Sequence, residues 1–348
     1  AVIRYGDADY ADRMLAAIQR TTAADIQRVA RSIFNENRRV VVRYLPEQEG
    51  VTGDTITTSP TIQARSLNIP ASEITIYTLA SEAEREQPPA AGTPVNARIP
   101  AASQRTLTNG LRVIVAPNRS LPLISADLRV ASGSASDPQG GAGLAGMTAD
   151  LLTRGTTSRS ATQIASEIES LGADIGSGAG VDSSSVSMQT RSDRQAEAFA
   201  VFADVVRNPA FAGEELERAR AEALDNLQVA LSTPGSISGF AMTRALYGET
   251  PYGGIASPAT LAAISTEGMG EFHRTYWRPD NAVLVITGDV SAEEGFAIAQ
   301  RHFGDWAAPA DPLPPRADAN DWAPGVRTIV VDLPDTGQAA VAMGLRGV

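Results

Sequence analysis

Metal, acyl-transfer and nucleotide chemistry each need particular side chains at particular spacings, and this chain of 348 residues offers few of them. Its only histidines are His273 and His302. Neither has an H-x-x-H or H-x-x-E neighbour, so both read as packed or helix-capping residues rather than metal ligands or general bases. The chain has no cysteine, which removes thiolate metal sites and disulfides. It has no G-x-S-x-G elbow for a serine nucleophile. Gly141-Ala142-Gly143-Leu144-Ala145-Gly146 matches the dinucleotide fingerprint G-x-G-x-x-G, but a polar loop, Ser132 to Gly140, separates it from the preceding strand. Glu167, near the expected distance for a ribose contact, falls inside a helical pattern. The glycines read instead as permitting tight helix packing.

The same glycines open a longer segment, Gly143-Leu144-Ala145-Gly146-Met147-Thr148-Ala149-Asp150-Leu151-Leu152-Thr153-Arg154-Gly155-Thr156. It resembles the signature helix of the pitrilysin-type zinc peptidases, the family of insulysin and the mitochondrial processing peptidase. Their inverted zinc motif reads approximately G-x-A-H-x-x-E-H-x-x-x-x-G-T. The resemblance sets Gly146 and Asp150 at the two histidine positions and Ala149 at the glutamate position. A site of this type needs two imidazoles one helical turn apart facing one Zn²⁺, and a carboxylate that takes a proton from the bound water. Glycine and alanine do neither.

The family's third ligand is a glutamate about 75 residues further on, on a second helix. Aligned from Phe211 to Gln228, that position is Asn226, with Asp225 beside it, and Ala219 stands where a supporting glutamate is expected. The resemblance therefore implies a degenerate site with no catalytic residue and no metal in this segment. Asp150 and Asp225 alone make a poor zinc set. Further matches follow in family order: Leu171-Gly172-Ala173, Phe211 with its following helix, Tyr252-Gly253 and Arg278-Pro279-Asp280-Asn281.

Composition narrows the partners. A net charge of −11 with 29 scattered basic residues argues against a nucleic acid. No run approaches the roughly 18 apolar residues of a membrane span, and no basic-then-apolar signal opens the chain. Beginning at Ala1 inside an ongoing pattern, it reads as a fragment or a processed piece. The family's frequent export in bacteria points to the periplasm or cell envelope.

The elements that must position these residues are of mixed type. Thr22 starts a helix that Asn35-Glu36-Asn37 ends, with a β-branched strand at 39–45; Thr266 starts a helix through Tyr276, with a strand at 282–287 after Arg278-Pro279-Asp280-Asn281. Thr to Asn is 15 positions in both, an internal repeat that matches the family's repeated domains. Asn109-Gly110 predicts a two-residue hairpin turn between 106–108 and 111–116. Strands are predicted at 123–131, 174–180 and 183–190, and helices at 142–152, 160–171, 193–207, 213–231, 236–246, 258–264 and 292–303. The charged runs 193–207 and 214–222 read as solvated helix faces. Residues 327–332 with 338–344 would open a further unit.

This order predicts an α+β domain, and the resemblance implies a pitrilysin-like one, a mixed or antiparallel sheet with helices packed on it. The expected organisation is the end of a preceding domain at 1–47 and a Pro/Thr/Ser-rich linker at 48–103. A complete domain follows at 104–307, then a loop at 308–325 and the start of the next domain at 326–348. The expected role is the non-catalytic half of a zinc peptidase, closing over a peptide while a zinc-bearing half does the chemistry. The alternative is a peptide-binding or assembly module without peptidase activity. In active relatives a substrate peptide adds as a strand beside the zinc helix, and the matching stretch is Ile175, Gly176, Ser177, Gly178 and Ala179, whose glycines would leave the backbone accessible. A strand thinned by glycine for close packing is the other reading.

Overall fold

The computed structural model describes residues 6–35, 38–40, 80–81, 84–85, 92, 101–318, 325, 328–334 and 337–345. The chain divides into two compact units, Ala1–Gly92 and Thr93–Val348. In the first, α1 (Tyr10–Arg20) and α2 (Ala23–Ile33) are described. Thr22 and Asp25 form a reciprocal capping box at the start of α2, satisfying two orphan N–H groups. Residues 41–45 of the strand expected at 39–45 and nearly all of the linker expected at 48–103 lie outside the described residues.

The second unit is built on one six-stranded sheet. Its strands are β1 (Ser103–Thr106), β2 (Arg112–Pro117), β3 (Leu123–Val130), β4 (Asp174–Ala179), β5 (Ser184–Arg191) and β6 (Ala282–Gly288), in the order β1-β2-β6-β3-β5-β4. All neighbours are antiparallel except β2 and β6. The helices are α3 (Leu144–Leu151), α4 (Ala161–Ser170), α5 (Gln195–Arg207), α6 (Gly213–Leu231), α7 (Pro234–Tyr247), α8 (Pro258–Ala263), α9 (Thr266–Tyr276) and α10 (Ala292–Phe303).

Local chemistry sets most helix starts. Ser160 and Ser291 cap α4 and α10 in reciprocal boxes with Gln163 and Glu294, and Pro234 and Pro258 occupy the first turns of α7 and α8. The repeat aligns one residue out of step: Thr22 is itself a cap, whereas Ser265 caps α9 and Thr266 is its first helical residue.

Alternation of side chains sorts the strands into two faces. Ile124, Ala126, Leu128 and Val130 of β3 are buried with Val113, Val115, Leu284, Ile286, Val186 and Met188, under the helices. Ser125, Asp127, Ser187, Gln189 and Thr287 project to the opposite, more accessible face. α5 is the deepest helix, with Phe199, Phe202, Val205 and Val206 all buried. The solvated-face reading of 193–207 therefore holds only for Asp193, Arg194 and Glu197; Asp204 is drawn inward by four polar partners.

One further expectation is corrected. The hairpin at Asn109-Gly110 is not a two-residue turn, because β1 and β2 end at Thr106 and Arg112. Leu107 O accepts from Gly110 N at 3.0 Å, and Gly110 alone takes a positive φ, +94°. Asn109 instead sends its side-chain amide to Phe303 O and Trp306 O, at 2.7 and 2.9 Å, pinning the turn to the end of α10. Residues 328–334 and 337–345 carry no strand among the described residues. They line, with α7, a cavity of about 960 Å³.

Candidate degenerate metal site and peptide edge

The signature segment forms α3 and a short 3₁₀ turn at Leu152–Arg154. Asp137, from the loop after β3, holds its start: its carboxylate accepts from Gly143 N at 2.8 Å and Ala145 N at 2.7 Å. Burial pushes the Asp137 carboxyl up to about 6, outweighing the N–H donors that favour its anion. The dinucleotide reading fails on topology, since β3 runs antiparallel to both neighbours and the parallel strand reached through the helices, β4, is separated from it by β5. Close packing does not explain every glycine here either. A Cβ at Gly146 would meet nothing within 4 Å, whereas one at Gly141 would press on Pro138 at 2.7 Å.

The positions aligned with the family's zinc site fall into two environments. Gly146 and Asp150 are exposed one turn apart on α3, and Asn226 and Asp225 are exposed on α6. Ala149 is completely buried, as is Ala219 to within 3%. The positions of the base glutamate and the supporting glutamate, Ala149 and Ala219, have thus joined the hydrophobic core, where an ionised carboxylate would be desolvated.

Between α3 and α6 stands Arg154. Its Nη2 lies 2.9 Å from Asp150 Oδ2 and 2.7 Å from Glu222 Oε2, and its Nη1 lies 3.3 Å from Glu222 Oε1. The hydrogen bond that Arg154 donates to Glu222 raises the guanidinium above its ordinary value, and the same bond lowers the Glu222 carboxyl. The donor set does not fit zinc: it lacks imidazole, and Asp150 and Glu222 are taken up by a guanidinium. Among the described residues no three His, Cys, Asp or Glu side chains group to hold a metal ion.

The Arg-Gly-Thr that follows is a junction of helices. Gly155 adopts φ +135°, a conformation that L side chains rarely take, and turns the chain from Arg154 toward α5. Thr156 Oγ1 then donates to Asp204 Oδ2 at 2.6 Å, and Arg159 Nη1 reaches the same oxygen at 2.7 Å. Burial works to raise the Asp204 carboxyl, but its bonds from Thr156, Asn208, Ser158 and Arg159 together hold it below the usual range.

The stretch Ile175 to Ala179 lies in β4, the outermost strand, beside α3. Its partner β5 occupies only one side. The hairpin closes with Gly180 N donating to Ser183 O at 2.7 Å, so alternation makes Gly178 and Gly176 the residues bonded to Ser185 and Ser187. Ile175, Ser177 and Ala179 then point N–H and C=O outward. A Cβ at Gly176 or Gly178 would meet nothing within 4 Å, which disfavours the close-packing reading of these glycines. Tyr252 donates to Asp182 at 2.7 Å and steadies the β4–β5 turn.

Both histidines are structural. His273 is buried; its Nε2–H donates to Val206 O at 2.9 Å, its ring stacks on Trp277, and burial pushes it down to about 4. His302 stacks on Phe199, and partial burial lowers it too. The Arg278-Pro279-Asp280-Asn281 turn is also an anchor. Buried Arg278 binds Asp280 and donates to Asp311 O at 2.7 Å and Pro309 O at 3.0 Å, while Asn281 bonds Tyr276 O and Ser132.

Sequence reasoning missed Glu222, Asp137 and Asp204. The i,i+4 pairing of Asp150 with Arg154 was the one readable signal; the partner 68 residues away was not.

A mixed six-stranded sheet with helices over one face, a two-turn signature helix against the edge strand and a partner helix crossing it define an α+β metallopeptidase-type domain. Residues 112–256 match the insulinase family, peptidase family M16, and residues 263–348 match the peptidase M16 inactive domain. The chain belongs to this family. It is 24% identical over 252 residues to an uncharacterized zinc protease of Mycobacterium leprae, covering 72% of this chain and 57% of that protein. The structure of a peptidase M16 inactive domain from Pseudomonas fluorescens superposes with a TM-score of 0.59 at 27% identity, over 63% of this chain and 53% of that one. The periplasmic protease PqqL of Escherichia coli shares the fold, with a TM-score of 0.55 at 16% identity over 62% of this chain and 25% of its own. The chain spans about half the length of the first two. Among the described residues no helix is long and apolar enough to cross a membrane.

Proposed function

We propose that this chain belongs to the non-catalytic half of a zinc-dependent peptidase of the pitrilysin type. It encloses peptide substrate and pairs with a zinc-bearing half that hydrolyses the peptide bond. Residues 104–307 are its complete domain, 1–47 the end of the preceding one and 326–348 the start of the next. The observation that carries the proposal is the combination on α3: the frame of the zinc motif is kept while Ala149 is absorbed into the core and Asp150 is paired with Arg154. A peptide adds along Ile175, Gly176, Ser177, Gly178 and Ala179, through the outward groups of Ile175, Ser177 and Ala179. No zinc is held in this segment; the cofactor belongs to the partner half, where metal-bound water is the nucleophile.

Metal content after zinc exposure and dialysis tests this reading, with Gly146→His/Ala149→Glu/Asp150→His/Asn226→Glu as comparison. The natural chain is expected to retain none and to leave a fluorogenic casein digest uncleaved. One tightly held zinc per chain, or chelator-sensitive cleavage, sinks the proposal. The second reading, a binding or assembly module without peptidase activity, wins if the full-length protein and its copurifying partners contain no H-x-x-E-H sequence.

A further inference from the structure

We infer that Arg154 is an internal cation that does the mechanical work of a metal ion in this domain: it cross-links the signature helix α3 to α6 and so fixes the α3 wall beside the β4 edge. The inference rests on the degenerate-site reading above and adds a positioning role that no aligned motif assigns.

A metal in such a site would hold ligands from two helices on one positive centre. Here one nitrogen, Nη2, does so, meeting Asp150 of α3 at 2.9 Å and Glu222 of α6 at 2.7 Å. The second nitrogen closes a fork on Glu222 at 3.3 Å. Arg154 is three-quarters buried, while Asp150 and Glu222 are each about half exposed, so the cation is the centre and the carboxylates its rim. Its backbone is pinned independently. Gly155 O accepts from Ala210 N at 3.0 Å and Thr156 is tied to Asp204 of α5, so the guanidinium projects from a fixed point. The neighbouring cations are engaged elsewhere: Arg218 bonds Glu215 and adds only a smaller attraction to Glu222, and Arg220 donates to Leu261 O and Ile264 O at α8.

Geometry as well as charge is required. A guanidinium reaches two carboxylates on different helices from one rigid fork, while an ammonium is a point charge on a flexible stem. The test is a double-mutant cycle on the whole chain with Arg154→Met, Glu222→Ala and the pair, plus Arg154→Lys. Thermal midpoints and amide exchange across α3 are the readouts. Each single change is expected to lower the midpoint by about 2–4 °C, with the double variant no lower than the worse single. Arg154→Lys is expected to recover less than half of the loss, and α3 amides in Arg154→Met to exchange about 5-fold faster. Additive losses, unchanged single variants or full recovery by lysine would overturn the inference. A wild-type midpoint raised by one equivalent of Zn²⁺ would instead overturn the degenerate-site reading on which it rests.

Discussion

The two sides of helix α3 have been treated in opposite ways. Toward α6 three of the positions aligned with the metal site have been rebuilt: Ala149 and Ala219 are core, and Asp150 is bound to a guanidinium shared with Glu222, while Gly146 and Asn226 stay exposed. Toward β4 nothing has been filled in. Gly176 and Gly178 leave open space, and alternate residues of the edge strand keep their backbone groups free of β5. An enzyme domain that merely lost its ligands would leave polar remnants around a hollow. On the proposed function, a domain kept for its shape would repack the core positions and spare the edge.

The largest effect that could break this contrast comes from restoring the glutamate. Ala149→Glu places a carboxylate among Met147, Leu151 and the sheet with no cationic partner described there. We expect a loss of about 3 kcal/mol or more, a midpoint fall of roughly 6–12 °C for a unit of this size. Gly146→His, three residues earlier on the same helix, faces open space and should stay within about 0.5 kcal/mol of the parent. Thermal denaturation of the two variants decides it. Equal tolerance at both positions would mean that the α6 side is a vacant site and not a rebuilt one.

Acid titration sharpens the contrast, because the α3 cap and the core histidine respond with opposite sign. Asp137 has its pKa raised from 3.8 to about 6, so the folded state binds the extra proton, and stability increases as pH falls from 6 toward 4. His273 has its pKa lowered from 6.5 to about 4, so the unfolded state binds the extra proton, and stability decreases over nearly the same window. Each shift amounts to on the order of 2–3 kcal/mol, and they largely cancel. Urea denaturation at pH 4.5 and 7 should show little net change from this pair in the parent. Asp137→Asn should expose the histidine and lose stability on acidification; His273→Gln should expose the aspartate and gain it. Parallel pH profiles in the two variants would refute the assignment.

Much of the fold was legible because its signals are local. The bounds of α10 follow from Ser291 and Glu294, and those of α9 from Ser265 and the Arg278-Pro279 break; the alternation in β3 and β5 separates their faces. The family frame told which positions had lost their ligands, and the glycines of β4 suggested an accessible strand. What replaced the ligands was not legible. Alanine at 149 is compatible with surface or core, and only the packed structure says core. The Arg154–Glu222 and Thr156–Asp204 pairs join residues 68 and 48 apart, a separation at which charge patterning carries no information. The runs at 327–332 and 338–344 carry apolar residues without alternation, and no strand forms in them among the described residues.

The smallest effect on stability should accompany a distinct effect on recognition. Ser177 has an outward N–H on the edge of β4, between two glycines that bond to β5. Ser177→Pro removes that donor and leaves the β4–β5 ladder its partners, because an edge strand accommodates proline where the N–H faces solvent. A peptide that adds as a seventh strand needs that donor, and its ring-blocked replacement also obstructs approach. With the tightest binder from a fluorescent casein digest, fluorescence anisotropy should show affinity falling about tenfold, equivalent to about 1.4 kcal/mol, and a midpoint within about 2 °C of the parent. Gly146→His, on the facing wall of α3, sharpens the comparison further. If the peptide lies along β4 and passes over α3, the added imidazole weakens binding less than the proline does. If the histidine weakens it more, the peptide sits on the helix, and the edge strand is bare for another reason.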